Sequence, residues 1–222
     1  MQKTLLILPG AVDPFHKDNQ KDFTKRYNLV IDEARKREYS QIKLLPWIGH
    51  NSGGAGLMSL KTGTTLLTNE ICVLEDKKQD YDIIAFSFGA NVYLNTLSNI
   101  KQPTFLKRTV LWGIDEFWRM ASYFSTKVKS KSMIEYMKSH STNMDPEFIS
   151  YAIPNELMLL EYKHSNLIRI GFGEHDEESP PAYADYLQSM KMKKNIEFRI
   201  IPKVGHVVTE YNDKYLQCLF DF

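Results

Sequence analysis

Asp82-Ile83-Ile84-Ala85-Phe86-Ser87-Phe88-Gly89-Ala90 is the stretch on which the fold turns. Asp82–Phe86 is a short, mostly apolar run of strand length, and from Gly89 to Asn99 the pattern becomes helical. A strand that passes into a helix through one serine needs a very sharp turn. Large side chains two residues before or after that serine would collide, and here those positions hold Ala85 and Gly89. Such a turn holds the serine in strained backbone geometry and lifts its hydroxyl off the sheet. The helix start beneath it favours developing negative charge. The alternative for Ser87 is a plain helix cap.

Outward from this corner, apolar runs and helical patterns alternate. Leu5–Leu8, Gln41–Leu45, Thr109–Trp112, Leu167–Gly171 and Ile196–Ile201 read as further strands, and Asp18–Arg37, Thr64–Lys77, Pro181–Met190 and Thr209–Leu219 as helices. The alternation predicts an α/β protein with a mostly parallel, six-stranded sheet covered on both faces by helices. Loops at the carboxyl ends of such strands converge on one site. More than 50 residues separate Thr109–Trp112 from Leu167–Gly171, far more than a crossover needs. The expected organisation is therefore a core of residues 1–113 and 166–222 with a helical cap, or lid, inserted at 114–165.

Composition narrows the function. In 222 residues, 28 Lys+Arg stand against 27 Asp+Glu, a balance that argues against a nucleic-acid partner. No apolar run reaches the ~18 residues of a membrane span. The chain starts on strand-like residues without a basic and apolar leader, and Cys72 and Cys218 lie far apart, so a cytoplasmic protein with small, buried thiols is expected. His, Cys and carboxylate spacing suggests no metal site. Gly171-Phe172-Gly173 lacks the third glycine of a dinucleotide fingerprint, and Lys61-Thr62 lacks the glycines of a phosphate loop.

A serine hydroxyl needs a base. Of six histidines, only His206 follows closely on the last strand, with Gly205 letting the chain turn; His140 and His164 read as surface residues. The base needs a carboxylate to fix its tautomer and stabilise the imidazolium. After Leu167–Gly171 comes Gly173-Glu174-His175-Asp176-Glu177-Glu178-Ser179-Pro180, where Asp176 is the choice and its neighbours are read as solvated charges. Asp115, after Thr109–Trp112, is the rival.

The order Ser87, Asp176, His206 at strand ends resembles the α/β-hydrolase superfamily. Leu8-Pro9-Gly10-Ala11 looks like that superfamily's oxyanion loop, with Pro9 where His is usual, and Trp47-Ile48-Gly49-His50 like another of its loops. Gly173-x-x-Asp176 and Gly205-His206 resemble its acid and histidine loops. The resemblance covers nearly the whole chain. It implies an α/β-hydrolase fold with a helical cap and an oxyanion hole built from the backbone N–H groups of Phe88 and Ala11, with Val12 the alternative to Ala11. It also implies a loop-bracing role for His50 and no cofactor.

Within the insert, Phe117, Met120, Ala121, Phe124 and Val128 recur at helical spacing, and a cap there would line a pocket with Trp118, Phe124 and Met133. Glu116–His140 carries an excess of three positive charges, which could steer an anionic acyl carrier. The expected activity is that of a serine esterase on a small-molecule ester with a small-to-medium apolar acyl or aromatic group. A thioesterase acting on a coenzyme A- or carrier-linked acyl group is the alternative, and a non-catalytic ligand-binding relative a further one.

Overall fold

The structure is a computed structural model that describes residues 3–10, 17–45, 60–114, 155–177, 179, 181–190 and 194–221. Strands β1 (Thr4–Leu8), β2 (Gln41–Leu44), β3 (Tyr81–Phe86), β4 (Leu106–Trp112), β5 (Leu167–Gly173) and β6 (Ile196–Ile201) form one sheet in the order β2-β1-β3-β4-β5-β6. Every pairing is parallel. Helices α1 (Lys17–Lys36), α2 (Leu60–Asp76), α3 (Phe88–Asn99), α4 (Asn155–Leu160), α5 (Pro181–Ser189) and α6 (Asp213–Phe220) flank it.

The two-residue period of a strand divides the core. Leu6 and Leu8 of β1 join Ile83, Ala85, Leu111, Ile170 and Phe172 on one face, against α2, α3, α4 and α5. Leu5 and Ile7 join Ile84, Phe86, Val110 and Trp112 on the other, against α1 and α6. A strand buried on both faces must be apolar at every position, and Leu5, Leu6, Ile7 and Leu8 have no exposed surface at all. Each such side chain contributes roughly 1.5–3 kcal/mol by leaving water.

β3 and β4 begin earlier than the apolar runs suggest. Leu106-Lys107-Arg108, two of them charged, lies before the expected strand Thr109–Trp112, yet Tyr81 pairs with Leu106 and Asp82 with Arg108 across the sheet. Asp82 is buried, and its Oδ2 accepts from Arg108 Nη2 at 2.7 Å and from Lys3 Nζ at 2.8 Å. Tyr39 Oη donates to the same oxygen. Opposite charges on neighbouring strands let charged residues enter the sheet at its amino edge.

Two other expectations change. His164 is buried, its Nε2 bonding the Leu97 carbonyl at the end of α3 at 2.8 Å, so it belongs to the core and not the surface. Cys72 is exposed on α2, whereas Cys218 is buried, and burial pushes its thiol up to about 12.

The strand order reverses between β1 and β3, since β2 lies outside β1 and all later strands on the other side. In open parallel sheets the carboxyl ends flanking such a switch point form a crevice. Gly10 and Ser87 leave the sheet there.

Candidate active site

Ser87 stands between the last residue of β3 and the first of α3, with φ 46° and ψ −117°. That left-handed backbone in a non-glycine residue costs on the order of 1–3 kcal/mol and persists only where the surroundings enforce it. Two contacts do so. The Ser87 N–H donates to the Trp112 carbonyl at 2.9 Å. Behind it, Gly89 lets α3 lie directly on the end of β1, where an added β-carbon would come within 2.4 Å of the Leu8 carbonyl oxygen. The Ser87 side chain makes no capping bond to α3, so the residue is not a conventional helix cap. Its neighbour Phe88 is the first residue of α3, where backbone amides have no intrahelical acceptor.

Asp176 and His206 arrive from two other strand ends. The Asp176 loop is tied down by its backbone: Glu174 N–H donates to Ile201 O, His175 N–H to Val204 O and Asp176 N–H to Gly173 O, at 2.9–3.1 Å. Gly173 permits the closest approach, since a β-carbon there would lie 2.3 Å from the Val204 carbonyl oxygen. His206 Nδ1–H donates to the Asp176 carboxylate, 3.0 Å from Oδ2 and 3.1 Å from Oδ1. Asp176 Oδ1 also accepts from the Ser179 N–H at 2.6 Å. Both residues are buried. A carboxylate so placed selects the tautomer in which the far nitrogen, Nε2, is an acceptor.

Three residues that sequence reasoning passed over hold this pair. Trp112 Nε1–H donates to the His206 carbonyl at 3.0 Å, while the Trp112 carbonyl holds Ser87, so one residue at the end of β4 grips both halves of the site. Gly113 follows with φ +58°, and a β-carbon on it would lie 2.7 Å from His206 Cε1 and 2.8 Å from Nδ1. Glu174, expected to be a solvated charge, accepts from the Lys203 N–H at 2.9 Å and latches the acid loop to the histidine loop. A glycine immediately after an apolar strand, and an indole that needs an acceptor inside a core, were the available signals.

No protein-family model matches the sequence, and no curated protein sequence matches it. Solved structures do. A lipase-esterase related protein from Clostridium acetobutylicum superimposes with a TM-score of 0.58 at 15% identity, covering 96% of this chain and 91% of that one. An esterase from Pyrococcus furiosus gives 0.62 at 16%, covering 97% and 80%. A meta-cleavage product hydrolase from Pseudomonas fluorescens gives 0.55 at 12%, covering 93% and 84%.

The chain has the α/β-hydrolase fold. In that fold's terms, Ser87 occupies the turn after β3, Asp176 the loop after β5 and His206 the loop after β6. Of the two expected oxyanion donors, Phe88 opens α3, and Ala11 lies outside the described residues. Outside them too are His50, Asp115, the cap residues Trp118, Phe124 and Met133, and the basic stretch Glu116–His140. Of the expected cap segment 114–165, the described residues are Ile114, which is fully buried, and α4 with the turn after it. Leu159 is fully buried there, and Tyr162 Oη meets Tyr93 Oη of α3 at 3.0 Å. Among the described residues no group of three or more His, Cys, Asp and Glu could hold a metal ion, and no helix is long and apolar enough to cross a membrane.

Proposed function

We propose that the protein is a serine hydrolase that cleaves an ester of a small-to-medium apolar acyl or aromatic group through an acyl-enzyme. The observation that carries this reading is the buried His206–Asp176 bond, made beside the strand end that holds Ser87. A buried imidazole with its Nδ1–H committed to a carboxylate is a poised proton acceptor, and a serine held at φ 46° between strand and helix carries its hydroxyl off the sheet.

In this mechanism Ser87 Oγ attacks the acyl carbonyl while His206 Nε2 takes its proton. Asp176 stabilises the imidazolium without itself being protonated. The tetrahedral oxyanion is met by backbone N–H groups, Phe88 on one side and Ala11 on the other, each contributing roughly 3–4 kcal/mol. His206 then protonates the departing alkoxide. Water, activated by the same imidazole, releases the acyl group from Ser87. Segment 114–165 is the proposed cap, with Trp118, Phe124 and Met133 facing the acyl group, and the cytoplasm is the proposed location.

A series of p-nitrophenyl esters from acetate upward, run beside an acyl-thioester series, tests the reading. Wild type is expected to hydrolyse esters faster than thioesters and to be labelled stoichiometrically by a fluorophosphonate. Ser87→Ala is expected to lose both properties. Full activity in Ser87→Ala overturns the assignment, and a marked preference for thioesters replaces the substrate class.

A further inference from the structure

Tyr27, on α1, lies 60 residues from Ser87 in sequence and touches both strand ends that flank the switch point. Its hydroxyl oxygen accepts a buried hydrogen bond of 2.9 Å from the Gly10 N–H. Its ring meets that of Phe86, the residue before Ser87, edge to face with centroids 5.5 Å apart. Tyr27 is 2% exposed and sits in the core beneath this corner.

Gly10 is held on a second side by the serine itself. A β-carbon added there would lie 3.1 Å from Ser87 Cβ, 3.3 Å from the Phe86 carbonyl oxygen and 3.7 Å from Ser87 Oγ. The chain leaving β1 at Gly10 therefore runs against the Ser87 side chain, and the Gly10 amide is committed to Tyr27. A buried N–H engaged by a hydroxyl is fixed in direction. Left without that acceptor, it would rotate its peptide plane toward another partner or water.

We propose that Tyr27 is a positioning residue for the acyl-transfer step: its hydroxyl anchors Gly10 so that the backbone leaving β1 is held at a set distance and orientation against Ser87. The same bond withdraws the Gly10 amide from the oxyanion, so the donor on this side must come from a later residue. The proposal rests on the serine-hydrolase reading. Tyr27 acts through Gly10, and misplacement of a catalytic backbone by a fraction of an ångström lowers turnover while leaving substrate binding largely intact.

The test compares wild type, Tyr27→Phe and Val30→Ala. Val30 is fully buried on the same face of α1 but is remote from Gly10 in function, and its truncation loosens the helix without touching the hydroxyl. Rates are measured per active site, titrated with a fluorophosphonate, well below each variant's melting midpoint. Tyr27→Phe is expected to lower kcat about tenfold, with KM within about twofold and the labelling rate reduced in parallel. Val30→Ala is expected to melt earlier with kcat per site unchanged. Should Tyr27→Phe fail to fold, 4-aminophenylalanine at position 27 fills the same space with a weaker acceptor and is expected to give an intermediate labelling rate. Wild-type kcat in the tyrosine variants, or an equal loss in Val30→Ala, overturns the proposal and leaves the hydrolase reading standing. Wild type that no fluorophosphonate labels overturns both.

Discussion

The serine corner and the His206–Asp176 pair meet at one edge of the sheet but are built differently. Ser87 is placed by consecutive residues: a strand, one strained residue, and a helix whose Gly89 rests on the β1 carbonyls. Asp176 and His206 come from loops after two different strands, and Trp112 and Gly113 at the end of a third keep them in position. The corner's geometry is thus part of the fold itself, since the contacts that strain Ser87 also seat α3 on the sheet. The pair's geometry is a matter of loop packing around an imidazole. Damage to the corner should cost stability and turnover together. Damage to the pair should cost mainly turnover.

The sharpest attempt to break this distinction is Asp176→Asn. It keeps an acceptor for the Ser179 amide but favours the wrong imidazole tautomer, so kcat is expected to fall by about 10³–10⁴ with a melting midpoint close to wild type. Ester kinetics with a calorimetric scan would read both, and less than a tenfold loss removes Asp176 from its role. Gly89→Ala drives a methyl into the Leu8 and Pro9 carbonyl oxygens. It is expected to cost about 3 kcal/mol by urea unfolding together with roughly 10² in turnover. A stable but inactive Gly89→Ala would mean that the corner's geometry is separable from the seating of α3 on the sheet.

Gly113→Ala tests the other half. The new methyl meets the imidazole ring, a movable side chain, so roughly 10- to 100-fold in kcat is expected at a cost of about 1 kcal/mol for the left-handed backbone. Arg108→Met, at the opposite edge of the sheet, is the control. It leaves Asp82 with Lys3 and Tyr39, so a loss of about 2 kcal/mol is expected, below that of a wholly isolated buried charge, with turnover unchanged. The smallest effect concerns the thiols. At pH 8 iodoacetamide should modify exposed Cys72, while Cys218, with its thiol pushed up to about 12, should react only after unfolding; mass spectrometry of native and denatured protein distinguishes the two.

Most of the sheet was legible because strands buried on both faces have no freedom to be polar, as in Leu5–Leu8. The start of β4 is hidden in the sequence because Lys107 and Arg108 carry charges whose partners, Asp80 and Asp82, are adjacent only once the sheet forms. Ser87 was legible through Ala85 and Gly89, a local steric demand written into neighbouring positions. His206 and Asp176 were legible through their places after strands. Glu174 was not, because its partner is a backbone amide 29 residues away and any acidic residue in a loop looks solvated. His164 was missed for the same reason: its acceptor is the end of a helix 67 residues earlier.

The sequence alone determined the alternation of strand and helix, the sharpness of the turn at Ser87 and the order of Ser87, Asp176 and His206 at successive strand ends. These follow from steric and hydrophobic rules that act between near neighbours. Tertiary structure alone decided which groups hold those residues: Trp112 between serine and histidine, Gly113 beneath the imidazole, Tyr27 on the amide of Gly10. Each of those contacts joins chain segments far apart in sequence. A single hydroxyl, amide or missing methyl carries no mark of its partner until the sheet brings the two together.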